Sequence, residues 1–87
     1  MASVEEVKAA LMQAAQHAQE TGQQARACIA GVDETIAMLQ AAARGTNHPK
    51  VQEAIAAAEQ QKQLLGEAVN RAHATAQAAQ DYIGVLG

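Results

Sequence analysis

Hydrophobic residues recur along this chain at intervals of seven. From Val4 the repeat runs through Leu11, Ala18, Ala25, Val32 and Leu39, accompanied by Val7 and Ala14 early and by Ile29 and Ile36 later. A companion that slides from three to four residues after the repeat position is what a helix of 3.6 residues per turn shows against a period of seven. The repeat resumes at Val51, Ala58, Leu65, Ala72, Ala79 and Leu86, with Ile55, Val69, Ala76 and Ile83 four residues after their neighbours. Two sustained stripes of this kind predict two long α-helices.

The interruption between them is AAARGTNHPKVQEA, Ala41 to Ala54, which holds the only proline. Gly45 stands where a left-handed C-terminal cap is expected, and Thr46, Asn47 and His48 are N-cap candidates beside Pro49, a residue suited to a first helical turn. At the other end Ser3-Val4-Glu5-Glu6 reads as a capping box, in which Ser3 accepts from the amide three residues on and Glu6 reaches back. The prediction is therefore an all-α fold: one domain over residues 1–87, an antiparallel two-helix hairpin with helices at about 3–44 and 48–83. Thr21-Gly22-Gln23-Gln24 is a second capping-box pattern, and Gly31 weakens the same helix, so a kink or a three-helix arrangement is the alternative. The seven-residue phase passes through both glycines without a shift, which favours a continuous helix. A fold about residue 46 pairs positions whose numbers sum to about 92, setting Leu65 and Val69 beside Gly22 and Ala25, and Leu11 beside Ala79 and Ile83, large against small.

Composition changes the energetic picture. Hydrophobic residues make up 49% of the 87, but alanine supplies more than half of them, with no Phe, no Trp and one tyrosine. Alanine brings helix propensity and little buried area, so a lone hairpin is expected to be marginal. Met12, Met38 and Leu64 lie off the stripes and widen the apolar face beyond what one partner helix covers. A dimer forming a four-helix bundle is the expected solution. The surfaces holding the assembly together are assigned to Val32, Ile36, Met38, Leu39, Val51, Ile55, Leu64, Leu65 and Val69, and the partner to a second copy of the chain or a related helical hairpin. Charge at Leu65, as in Leu65→Asp, is expected to abolish the dimer.

Six basic and nine acidic residues, net −3, include no basic run and leave no electrostatic footprint for nucleic acid. No stretch of about 18 apolar residues predicts a membrane span. The glutamates of MASVEEVK stand where a signal peptide carries positive charge. A soluble protein, cytoplasmic or exported by a route other than general secretion, is the reading. Candidate chemistry is sparse. His17 and His73 come to similar heights under the fold-back, the germ of a metal site or of a metal- or redox-responsive regulator that would also use Cys28, but two further ligands are wanting. Cys28 falls on the seam in this frame and reads as packing material. Lys62 occupies a stripe position opposite Asp33 and Glu34, where a cross-helix ion pair fixing register is expected. No catalytic constellation, phosphate loop, metal set or cofactor site emerges, and the expectation is a non-enzymatic protein. A structural coiled-coil segment is the other alternative.

Two motifs carry a resemblance. RGTNHPKVQEA resembles the Gly-x-x-His-Pro-x-Val turn of small actinobacterial helical hairpins associated with toxins, and AAQDYIGVLG is similar to their tyrosine-containing, glycine-terminated tail. With its length, helix order and heptad seam, the whole chain resembles the type VII secretion superfamily named for a Trp-x-Gly turn. Arg44-Gly45 stands in place of that turn, and no acidic residue follows Tyr82 four positions on. The resemblance implies a dimerising hairpin that acts as partner, adaptor or escort of a larger effector protein, with Gly45, His48 and Pro49 of the turn and Tyr82 of the tail as the residues to test.

Overall fold

In the computed structural model, which describes residues 2–87, α1 spans Val4–Ala43 and α2 spans Pro49–Leu86. The all-α antiparallel hairpin predicted from the two stripes is the fold. Ser3 caps α1 through its side-chain oxygen, which accepts from the Glu6 amide at 3.1 Å. Glu5 and Glu6 sit in the first turn, where the helix dipole favours negative charge. α2 runs three residues past the predicted end at 83, because Ile83 and Leu86 continue the apolar spacing and the single Gly84 costs only about 1 kcal/mol.

The turn differs from expectation in one respect. Gly45 does not adopt the left-handed conformation; among the described residues only Gly87 has a positive φ. Instead α1 tightens as it ends, with Arg44, Gly45 and Thr46 donating to the carbonyls three residues back at 3.3, 3.0 and 3.4 Å. These bonds satisfy the last carbonyls that a left-handed cap would otherwise take. The chain then extends, and His48 becomes the N-cap of α2, its Nδ1 accepting from the Lys50 amide at 3.1 Å while its own amide donates to Thr46 Oγ1 at 3.2 Å. Pro49 opens the helix, where its missing N–H leaves no bond unmade.

α1 is one continuous helix through Thr21, Gly22 and Gly31. Its buried and half-buried positions are Lys8, Leu11, Ala15, Ala18, Gly22, Ala25, Ile29, Val32, Ile36, Leu39 and Ala43, with Val7 beside them. This alternation of three and four holds from end to end. The companion therefore does not slide: Ala15 is buried and Ala14 exposed. Two helices that coil about each other are underwound to 3.5 residues per turn, which cancels the drift that a straight helix shows. On α2 the seam is Val51, Ile55, Ala58, Leu65, Val69, Ala72, Ala76, Ala79, Ile83 and Leu86.

Two contacts set the register. An added methyl at Gly22 would lie 3.2 Å from the Ala72 methyl, and Lys62 Nζ meets Asp33 Oδ1 at 2.8 Å. Facing numbers thus sum to 94 or 95, not to about 92, because the tightened end of α1 carries the reversal beyond residue 46. The displacement brings Gly22 against Ala72 in place of Leu65 and Val69, so small residues face small ones at the waist. The resulting rod measures 64 × 19 × 14 Å.

Candidate interaction surfaces

The seam leaves each helix with two flanks and an outer edge. One flank carries Met12, Gln19, Arg26, Asp33 and Gln40 of α1 with Gln52, Glu59, His73 and Gln80 of α2, bordered by Gln16, Gln23, Gln63, Asn70 and Gln77. A shallow groove of about 220 Å³ between Gln19, Gly22, Arg26, Val69, Ala72 and His73 joins the two helices on this side. A wider, open groove near the chain ends is lined by Met12, Gln13, Gln16, Gln80 and Ile83. The Lys62–Asp33 pair expected from the sequence forms here, with both side chains about half exposed. Lys62 is the α2 seam position that stays exposed.

The opposite flank has another character. Next to the seam it carries Val7, Ala14, Thr21, Cys28, Thr35 and Ala42 of α1 and Ala54, Gln61, Ala68, Thr75 and Tyr82 of α2. Beyond these stand Ala10, His17, Gln24, Gly31 and Met38, and on α2 Lys50, Ala57, Leu64, Arg71, Ala78 and Val85. No carboxylate lies on it. Glu5, Asp33 and Glu59 occupy the glutamine flank, and Glu6, Glu20, Glu34, Glu53, Glu67 and Asp81 the outer edges. Four of the most exposed large hydrophobic residues are here: Met38 (69% exposed), Leu64 (57%), Tyr82 (51%) and Val85 (78%). The three helical threonines turn their hydroxyls to their own backbone, Thr21 donating to the His17 carbonyl at 3.0 Å, Thr35 to Gly31 at 3.2 Å and Thr75 to Arg71 at 2.9 Å.

Several sequence-based placements change. Cys28 is exposed, not on the seam, because the buried position is its neighbour Ile29. His17 and His73 lie on opposite flanks, and the register brings His73 level with Thr21 and Gly22. Among the described residues no group of three or more His, Cys, Asp or Glu side chains is placed to hold a metal ion. Of the residues assigned to the assembly, Val32 is buried and Ile36, Leu39, Val51, Ile55, Leu65 and Val69 half-buried within the hairpin itself. Met38 and Leu64 are the exposed members of that set. A charge at Leu65 therefore breaks the hairpin before it reaches any dimer. Among the turn residues His48 and Pro49 start α2, and Tyr82 stands on an exposed helical position.

The fold and these surfaces define an all-α antiparallel helical hairpin with two unlike flanks. No protein-family model matches the chain, and searches of curated proteins and of solved structures find no match either. No helix among the described residues is long and apolar enough to cross a membrane.

Proposed function

We propose that this chain is a non-enzymatic protein–protein interaction module, a helical hairpin that associates with itself or a related hairpin and serves as partner, adaptor or escort of a larger protein. The observation that supports this most is the surface it leaves uncovered. A compact monomer of 9.0 kDa exposes about 4,900 Å², whereas this one exposes 6339 Å². The buried apolar residues are Ala15, Val32, Ala58 and Ala76, three of them alanines. An excess of roughly 1,400 Å² is of the size that a stable association covers on one partner. The type VII secretion-like character rests on the length, helix order and heptad seam that resemble that superfamily and on the turn and tail that resemble its toxin-associated hairpins, and it favours a role beside a larger effector.

Sedimentation equilibrium across the micromolar range tests the module reading, with a dimer as the expected mass. A cooperative, concentration-independent monomer of high melting temperature is the result that removes it. For the adaptor role, the purified hairpin is mixed with the protein encoded beside it, and a stoichiometric complex by light scattering is expected.

A further inference from the structure

We infer that the carboxylate-free flank packs against the same flank of a second copy, with the two turns at the same end and each α1 lying over the other copy's α2; this rests on the self-association proposed above. The broad face of a 64 × 19 Å rod offers roughly 1,200 Å², above the ~800 Å² per partner of an ordinary stable interface. Covering it would remove most of the surplus surface. The flank also has fewer polar groups to desolvate than the other. Its threonine hydroxyls are already bonded to backbone carbonyls, so their burial orphans no donor. Its remaining amide, imidazole and charged side chains are His17, Gln24, Lys50, Gln61 and Arg71, fewer than the amides and charges of the glutamine flank, each of which would need a new partner if buried.

Size complementarity selects the second copy as occupant. When the register of the hairpin is carried to a copy related by a two-fold axis along the rod, large residues meet small ones. Leu64 comes over the partner copy's Gly31, Met38 over Ala57, Val85 over Ala10 and Tyr82 over Ala14. Gly31 gains its explanation here. A methyl group added to it would meet nothing within 4 Å inside the protomer, so the hairpin itself has no use for a residue that weakens the helix by about 1 kcal/mol. Charge selects the orientation. Arg71 lies near the middle of the rod and comes over Gln24 when the turns are together. With the turns apart, two Arg71 side chains meet at the centre of a flank that has no carboxylate to separate them. Both arrangements make every neighbouring pair of helices antiparallel, so the helix dipoles favour the bundle without choosing between them.

Two surface variants and one distance test the assignment on the full chain. Leu64→Glu changes an exposed position and Gly31→Leu one with open space, so helicity by circular dichroism is retained in both. Each is expected to weaken the dimer about tenfold or more, while Gln19→Glu on the other flank leaves it unchanged. Spin labels at Asn47→Cys in a Cys28→Ser background are expected about 20–30 Å apart, two to three helix diameters. A dimer indifferent to both variants, or labels separated by nearly the 64 Å length of the rod, overturns the face or the orientation. A wild-type monomer instead removes the self-association on which the inference stands.

Discussion

Gly22 and Gly66 show how much one position in the seven-residue frame decides. Gly22 is buried against α2, and a methyl group there would press the Ala72 methyl at 3.2 Å. Gly66 is half-buried, but a methyl group on it would meet nothing within 4 Å. Gly66→Ala is therefore expected to raise stability by about 0.5–1 kcal/mol through helix propensity alone. Gly22→Leu is expected to lower it by about 1–3 kcal/mol, because helix backbones cannot move apart locally. Urea denaturation of both variants checks the pair; equal effects would mean that the waist is not in contact. The same one-residue sensitivity explains Cys28. The apolar repeat identifies a stripe, but a stripe read to within one residue cannot say whether Cys28 or Ile29 faces inward. Burial assigns Ile29 to the seam and leaves the thiol outside.

At the scale of the helices, α1 and α2 were legible because the main local signals agree: a capped start at Ser3, helix formers throughout, and a stop followed by His48-Pro49. Even the two glycines inside α1 did not mislead, since the phase passes through them. The drift predicted at Ala14 was absent because it belongs to a straight helix, and packing against a neighbour removes it. Lys62 is the one charged side chain on the α2 seam, held to Asp33 at 2.8 Å on a half-exposed edge. Ion pairs in such surroundings contribute about 0–1 kcal/mol. Lys62→Leu, which fills the seam with apolar area, is expected to stabilise the hairpin by about 1 kcal/mol, read as a rise in the midpoint of thermal unfolding. A clear fall would mean that the pair holds the register against slippage.

For the whole molecule, the governing quantity is the ratio of surface to core. Its radius of gyration is 19.5 Å, against about 12 Å for a compact chain of this length. If a rod with so little inside associates as proposed, mass action makes its melting temperature rise with protein concentration. Thermal unfolding followed by circular dichroism over a hundred-fold dilution, roughly 2.7 kcal/mol in linked free energy, is the check. A midpoint that stays constant would place all the stability inside one hairpin. The carboxylate-free flank belongs to this scale too. Its signal is present in the sequence, since all nine acidic residues keep to the outer edges and one flank. It becomes readable only once burial has fixed the phase to the residue.

The sequence by itself determined that there are two helices, where each begins, and that they fold back on one another, because helix propensity, capping and hydrophobic period are local properties of the chain. Only the tertiary structure decided the register, the inward member of each pair of candidates, and which flank is free of negative charge. Those depend on how far α1 winds before it reverses and on the underwinding that contact imposes. A shift of two or three residues in facing numbers changes the partner that a seam side chain meets, and a shift of one in phase moves the side chain from the seam to solvent.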